Sequence, residues 1–501
     1  MRSAAYRIGR VWKNNDAWAA LVSITFDGVH IEVGAYCSGM NCLPTMFLVF
    51  ASMLRDMFSV NHSATIIWSC DNNPEAATVM KIQGLDPIFE DGIQLACGRA
   101  TNLSTGKPAS VKVPHVIMSS IVCAGVSSKN VHYSDKDQCL ANRTGGTGET
   151  WDYMYRFLKT DNARKRVQLV LGEIGTGFET SEESMQSCLT MASGQMGSLG
   201  FVTSKYACDC KSFGSRQRRR RLHMKWSKNT LASNRSLYLE IMEAFKVEEA
   251  PPVQDFLERF SAVRHDPFLN RPWTRKAKYQ KGSASGDLEC SQCMNLHGQQ
   301  FPPTYHEDPP AEFFGLPSDV RVLGMGCPDS LQRREYNVAF CKLACERFFE
   351  NHPSSEIIFM SLDRSLARWS KDMVGICGTI DPHSKLYLLR RQPASERSLR
   401  PVLIKELCRL QGFQLTEMFS NPAQLSRLVK QISYRQMVKL LGNGYHMGVE
   451  MCHYAASMIS CSRIDTSDGA GLFLITFKLT CSITRIWELG PANYPLPGQE
   501  L

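Results

Sequence analysis

The feature that most constrains this chain is an alternation, from residue 20 to 225, of short apolar runs with segments of helical spacing. Parallel strands need a crossover of a dozen or more residues between them, and a helix usually supplies it. The runs VHIEVGAY at 29–36, ATIIWSC at 64–70, HVIMSSIVCAG at 115–125, VQLVLGE at 167–173 and FVTSKYA at 201–207 read as strands. Between them Pro44 opens a helix to about Phe58, Pro74 opens another to about Gln83, and SEESMQSCLTMASGQMG at 181–197 has helical spacing. The expected class is α/β, with a mostly parallel, doubly wound sheet.

Beyond residue 225 the texture changes to mixed charge with Pro-rich turns such as FPPTYHEDPP and ENHPSS, and the alternation fades. Order returns near 399, where RPVLIKELCRLQGF reads as a helix with Pro401 at its first position, and SYRQMVKLLGNGYHMGVEM reads as helix, turn and helix. This divides the chain into 20–225, 226–398, 399–455 and a tail, 456–501, to which no pattern gives a role. A chain of 501 residues with 43% hydrophobic content has material for two or three such units.

The most apolar stretches, CLPTMFLVFASML and GLFLITF, fall short of the roughly 20 residues a spanning helix needs. The 19 cysteines are an odd number, and the first residues lack the apolar run of a signal peptide, so reduced thiols and a soluble intracellular protein are expected. Fifty-seven Lys and Arg against 48 Asp and Glu leave a charge of +9, which suits a polyanionic partner, although it is spread over many residues.

Chemistry-bearing residues fall at strand ends. The first predicted strand runs into CSGMN, placing Cys37 and Gly39 in a turn where a nucleotide-like cofactor approaches backbone, or where the chain simply turns tightly. The second ends in SCDNNPEA, so Asp71 can accept ribose hydroxyls or cap the next helix. Asp91, in PIFED, follows a further strand-like run and can reach an adenine amino group or solvent. In order along the chain, the three tips describe a nucleoside cofactor lying across the switch point of a sheet. In the middle region Cys290, Cys293 and His297 have half of a zinc spacing that Cys327 or His306 could complete; ordinary free thiols are the simpler account.

Next come IVCAGVSSKN, a strand-to-loop junction, and the Gly-rich NRTGGTGETWDYMYRFL. With RVQLVLGEIGTGFE, FGSRQRRRRL, RPVLIKELCRLQGF and LLGNG following in that order, the chain resembles the DNA cytosine-5 methyltransferase family over roughly 29–225 and 399–455. The resemblance implies a Rossmann-like S-adenosylmethionine-dependent methyltransferase fold, completed by the C-terminal helices and carrying 226–398 as its target-recognition region. It also implies S-adenosyl-L-methionine as cofactor, duplex DNA with a flipped cytosine as partner, no membrane, and a nuclear location. One branch of the same family modifies a tRNA cytosine instead.

The implied catalytic set is Ser128, Glu173, Arg219 and Arg221. Glu173 would address ring nitrogen 3 of the base, while Arg219 and Arg221 would touch its carbonyl and the active-site loop. Cys37, Gly39, Asp71, Asp91 and Asn443 would hold the cofactor, and Gln217, Arg218 and Arg220 the nucleic acid. Five of the six residues from Arg216 to Arg221 are arginine, so a localisation signal or a phosphate-binding patch accounts for them as well. The chain departs from the pattern at Ser128, which stands where the family has its nucleophilic cysteine, and at Ile174-Gly175, where it has Asn-Val. A free thiol gives some thiolate at neutral pH, whereas a serine hydroxyl needs a dedicated base. Three expectations are left standing: an active DNA methyltransferase, a catalytically impaired paralogue that binds cofactor and DNA, and an enzyme that methylates a tRNA cytosine.

Overall fold

The structure, a computed structural model, describes residues 1–37, 39–90, 92–120, 140, 145–179, 187–229, 231, 234–259, 262, 266–269, 320–322, 357–361, 375–380, 386–391, 397–419 and 421–461. Ser128, Asp91, Cys290, Cys293, His297, Cys327, His306 and the tail after 461 lie outside the described residues.

Two helices, α1 (Arg2–Lys13) and α2 (Asp16–Phe26), lead into β1 (His30–Tyr36), α3 (Leu43–Phe58), β2 (Ser63–Cys70), α4 (Pro74–Gln83) and β3 (Ile88–Phe89). A short helix α5 (Gly92–Leu95) and a hairpin of β4 (Arg99–Asn102) and β5 (Lys107–Ser110) precede β6 (Val116–Ser120). Then come α6 (Gly145–Lys159), α7 (Asp161–Arg166), β7 (Leu169–Ile174), α8 (Cys188–Ser198), β8 (Phe201–Asp209), β9 (Arg220–Lys228) and α9 (Arg235–Ala244).

These nine strands form one sheet in the order β5-β4-β3-β2-β1-β6-β7-β9-β8. The pairs β1–β2, β2–β3, β1–β6 and β6–β7 are parallel, while β4, β5, β8 and β9 add antiparallel flanks. The fold is therefore a Rossmann-like, mostly parallel, doubly wound α/β fold. The chain moves from β1 outward to β3 and then returns to β6 on the other side of β1, so the switch point lies between β1 and β6.

Alternation along the strands explains the layers. Leu169 and Leu171 of β7 enter one apolar cluster with α1, α3, α9 and the C-terminal helices, whereas Val170 and Ile174 enter a second with α6 and α8. Strand β6 divides in the same way, Val116 and Met118 against Ile117. Pro44 and Pro74 sit in the first turns of their helices, where a missing N–H costs nothing, and Asn73 caps α4 by accepting from the Glu75 N–H.

A second sheet has the order β10-β13-β12-β11, formed by β10 (Val320–Val322), β11 (Ile357–Ser361), β12 (Leu386–Arg391) and β13 (Arg397–Pro401). The chain then continues through α10 (Ile404–Leu410), α11 (Leu415–Met418), α12 (Pro422–Gln431), α13 (Tyr434–Asn443) and α14 (Met447–Ile459). Pro401 was expected at the first position of a helix; it instead ends a strand, and the helix starts three residues later. Leu403 is the N-cap, its N–H donating to Glu406 Oε2 at 2.8 Å. The two helices expected around the Gly-Asn turn are present as α13 and α14, and every residue of α14 is buried. No helix of the described residues is long and apolar enough to cross a membrane.

Candidate functional site

The loop leaving β1 is strained. Cys37, Gly39 and Asn41 have φ of 50°, 59° and 45°, so two non-glycine residues occupy the left-handed region within five positions. Only Gly39 is suited to this, and a Cβ there would lie 3.4 Å from Gly444 Cα, packed against the turn after α13. The loop is held from below: Gly39 N–H donates to Asp71 Oδ2 at 2.8 Å, Asn73 N–H donates to Asp71 Oδ1 at 2.9 Å, and Asn41 Nδ2 donates to Ser69 Oγ at 2.6 Å. Burial pushes the Asp71 carboxyl up to about 6, against the two backbone N–H groups that favour its charge. Burial also raises the Cys37 thiol, and the nearby Asp71 adds to this.

Glu173, near the carboxyl end of β7, is 2% exposed. Three guanidinium nitrogens converge on one of its oxygens: Oε1 accepts from Arg219 Nη2 at 2.7 Å, Arg219 Nε at 3.2 Å and Arg221 Nε at 3.0 Å. The other oxygen, Oε2, is buried and has no hydrogen-bond partner among the described residues. Burial pushes this carboxyl up, but Arg219, Arg221 and then His223 outweigh it, and the group stays ionised well below the usual range. Arg219 also donates to the carbonyls of Gly442 at 3.2 Å and Gly444 at 2.7 Å. Asn443 lies between them, exposed, at the end of α13.

The resemblance divides the arginine run into Arg219 and Arg221 on one hand and Arg218 and Arg220 on the other, and alternation along the extended backbone divides it by the same parity. Arg219 and Arg221 turn inward to Glu173, while Arg218 and Arg220 are exposed. Gln217 is fully buried with neither amide atom hydrogen-bonded among the described residues, so an external phosphate can reach Arg218 and Arg220 but not Gln217. The backbone here is tied to the 375–380 segment, since Arg218 N–H donates to Cys377 O and Cys377 N–H to Arg216 O, both at 2.7 Å.

The residues missed from the sequence are His223 on β9 and Glu450 on α14. His223 Nδ1 lies 3.0 Å from Glu450 Oε1, both groups fully enclosed, and His223 stands directly opposite Glu173 in the β7–β9 register. The signal was present in RLHMKWS, whose Leu222, Met224 and Trp226 alternate with polar residues as a half-buried strand should. The run of arginines before it masks that period. Among the described residues no group of three potential ligands could hold a metal, and the cysteines are free thiols.

No protein-family model matches the sequence, and no curated protein matches it. Among solved structures the chain is similar to the Dnmt2 methyltransferase of S. pombe, with 12% identity, a TM-score of 0.41, and coverage of 85% of this chain and 98% of that one. It is also similar to a DNMT2 variant from Spodoptera frugiperda, at 12% identity and TM-score 0.38 over 85% and 99% of the two chains. For the methyltransferase EhMeth of Entamoeba histolytica the values are 10%, 0.40, and 86% and 98%.

Proposed function

We propose that this chain is an S-adenosylmethionine-dependent methyltransferase acting on carbon 5 of cytosine in duplex DNA, with a nuclear location to match. The observation that carries the proposal is the Glu173 carboxylate, buried at the carboxyl edge of the sheet, locked by two arginines and left with one oxygen unpartnered among the described residues. A buried, unpaired carboxylate oxygen is costly, and a site that keeps one has a use for it. Ring nitrogen 3 of a flipped cytosine would be its partner, and the base must leave the duplex to reach it.

The residues fit an S-adenosylmethionine site. Gly39 allows a close approach of backbone at the switch point, Asn41 Oδ1 is buried without a partner among the described residues, and Asp71 lies at the neighbouring strand end. Cys37, Gly39, Asp71 and Asn443 would hold the cofactor, with Asp91 a further candidate. When bound, it supplies an electrophilic methyl group. The protein's own task is to place Glu173 against nitrogen 3, to exclude water with the 442–444 turn, and to hold the phosphate backbone with Arg218 and Arg220. Ser128 stands where the resemblance places the nucleophile that adds at carbon 6.

That serine favours a second reading, a paralogue that binds cofactor and DNA without turnover, because no base is assigned to activate its hydroxyl. Methyl transfer from labelled cofactor, measured on duplex DNA and on tRNA for the native chain and Ser128→Cys, separates the readings. Transfer to DNA by the native chain is expected; gain only on Ser128→Cys selects the impaired paralogue, and transfer confined to tRNA selects an RNA enzyme. Calorimetric titration with S-adenosylmethionine is expected to give binding, and no detectable heat would remove the cofactor site.

A further inference from the structure

We propose that the outward faces of α12 and α13 form a further phosphate-binding surface, along which the nucleic-acid backbone runs away from the turn at 442–444. The inference rests on the proposed nucleic-acid substrate for its partner, though not for the pattern of charge. Between Glu417 and Glu450 the sequence has no Asp or Glu and has four basic residues, Arg427, Lys430, Arg435 and Lys439. All four fall on the two helices that lead into the turn.

Helical spacing decides where they point. Helix α13 buries Met437, Val438, Leu440 and Leu441, so its opposite side carries Arg435, Lys439 and Asn443 at i, i+4 and i+8. Of these, Arg435 and Asn443 are exposed, while Lys439 is half-exposed with its ammonium 3.7 Å from Glu75 Oε2 on α4. In α12, Leu428 is buried and Leu425 and Val429 pack against the same core, which turns Arg427 and Lys430 to solvent on one face. Arg427, Lys430 and Arg435 have no ion-pair partner among the described residues. Both helices pack on α4, so the charges share one layer of the molecule.

Place and composition favour one kind of partner. A helix rises about 1.5 Å per residue, so Arg435 stands roughly 12 Å along α13 from Asn443. Each strand of a duplex carries a phosphate about every 3.4 Å, so a backbone running along α13 meets Arg435 within about four base pairs of the turn. The exposed residues of α12 beyond its first turn are Ser426, Arg427, Lys430 and Gln431, and the apolar face that a membrane-surface helix would insert is already buried in the core. A protein interface would need an apolar or aromatic centre, which this face lacks. Cations with hydroxyl and amide donors between them suit phosphate oxygens, which they contact without regard to base sequence.

The test uses the full chain and a mixed-sequence DNA duplex. Each phosphate contact contributes about −0.9 to the slope of log affinity against log salt. The triple variant Arg427→Gln, Lys430→Gln, Arg435→Gln should flatten that slope by about two to three and weaken binding roughly tenfold or more near 0.1 M salt. Its melting temperature and its affinity for S-adenosylmethionine should match the native chain. Arg99→Gln, Lys107→Gln, Lys112→Gln removes the same charge from exposed positions on and beside the β4–β5 hairpin, and should leave the slope unchanged. Equal flattening in both variants would reduce the effect to net charge and overturn the surface. Acetylation read by mass spectrometry adds a second readout: bound duplex should protect Lys430 and leave Lys107 reactive, and an unprotected Lys430 overturns the inference. The same titration with tRNA identifies the source of the phosphates, since flattening confined to tRNA keeps the surface and assigns it to RNA. Weakened binding of polyglutamate with both nucleic acids unaffected would make it a site for an acidic protein and overturn the proposal. A native chain that binds neither nucleic acid removes the proposed substrate and this surface with it, whereas native binding with an unaltered slope in the triple variant removes the surface alone.

Discussion

Arg219 binds Glu173 and the turn after α13 with one guanidinium. Nη2 is 2.7 Å from Glu173 Oε1 and 2.7 Å from the Gly444 carbonyl, while Nη1 is 3.2 Å from the Gly442 carbonyl. The helix end, whose carbonyls have no partner within the helix, is thereby satisfied by the same cation that fixes the site carboxylate. Because that turn lies against Gly39, the loop after β1 and the Glu173 carboxylate are mechanically one unit.

Arg219→Lys keeps the charge but loses the planar fork, so it can serve the carboxylate or the turn, not both. Each lost hydrogen bond to a charged group costs about 1.5–3 kcal/mol. Since about 1.4 kcal/mol is a factor of ten, S-adenosylmethionine binding should weaken roughly tenfold or more. Calorimetric titration checks this, and an unchanged affinity would disconnect the turn from the cofactor site.

Gly39→Ala places a Cβ at φ +59°, where an L-residue costs about 1–2 kcal/mol, and puts it 3.4 Å from Gly444 Cα. Gly84, at the end of α4, also has positive φ, but nothing lies within 4 Å of where an added Cβ would stand, so Gly84→Ala carries the backbone cost alone. Both substitutions should lower the melting temperature by a similar amount. Cofactor affinity should fall only for Gly39→Ala.

The pH dependence of stability has a definite sign. His446 caps α14 by accepting from Val449 N–H, and burial, aided by Arg219, lowers it from 6.5 to about 3. A group depressed in the folded state contributes stability that is present above its unfolded value and lost as pH falls through the folded one. His223, raised, works in the opposite direction and loses its contribution as pH rises. His446→Asn keeps a capping acceptor and removes the titration. The drop in urea midpoint between about pH 7 and pH 4 should therefore be smaller in His446→Asn than in the native chain.

The parallel half of the fold was legible because its buried strands are continuous apolar runs and its helices begin at prolines. Leu43–Phe58 and Pro74–Gln83 fall where Pro44 and Pro74 put them. Strand β9 was not read as one, since its first residues are arginines and its inward face is polar. The charges of Glu173 and Arg219 were attributable to a site from the resemblance alone, but their mutual geometry was not. His223 and Glu450 are 227 positions apart and meet only through the packing of α14 on β9, which no local pattern encodes. Pro401 misled because a proline serves equally as a strand's last residue and a helix's first; the carboxylate of Glu406 decided the matter by capping at Leu403.

Arg400 and Glu406 form a second buried pair, both fully enclosed, with Nη1 on Oε2 at 2.8 Å and Nη2 on Oε1 at 2.6 Å. Glu406 also accepts the N–H groups of Leu403 at 2.8 Å and Glu258 at 2.7 Å, so its charge joins the region before the second sheet to the helices after it. Removing one partner strands the other charge, and about 3–5 kcal/mol should be lost in either Arg400→Met or Glu406→Leu. Replacing both removes the desolvation cost along with the attraction, so the double variant should be less destabilised than the sum of the singles, the shortfall being the coupling between them. Urea unfolding of the four proteins measures that coupling. Additive losses would mean that the two side chains stabilise the fold through separate contacts, with the backbone bonds to Leu403 and Glu258 carrying the glutamate's share.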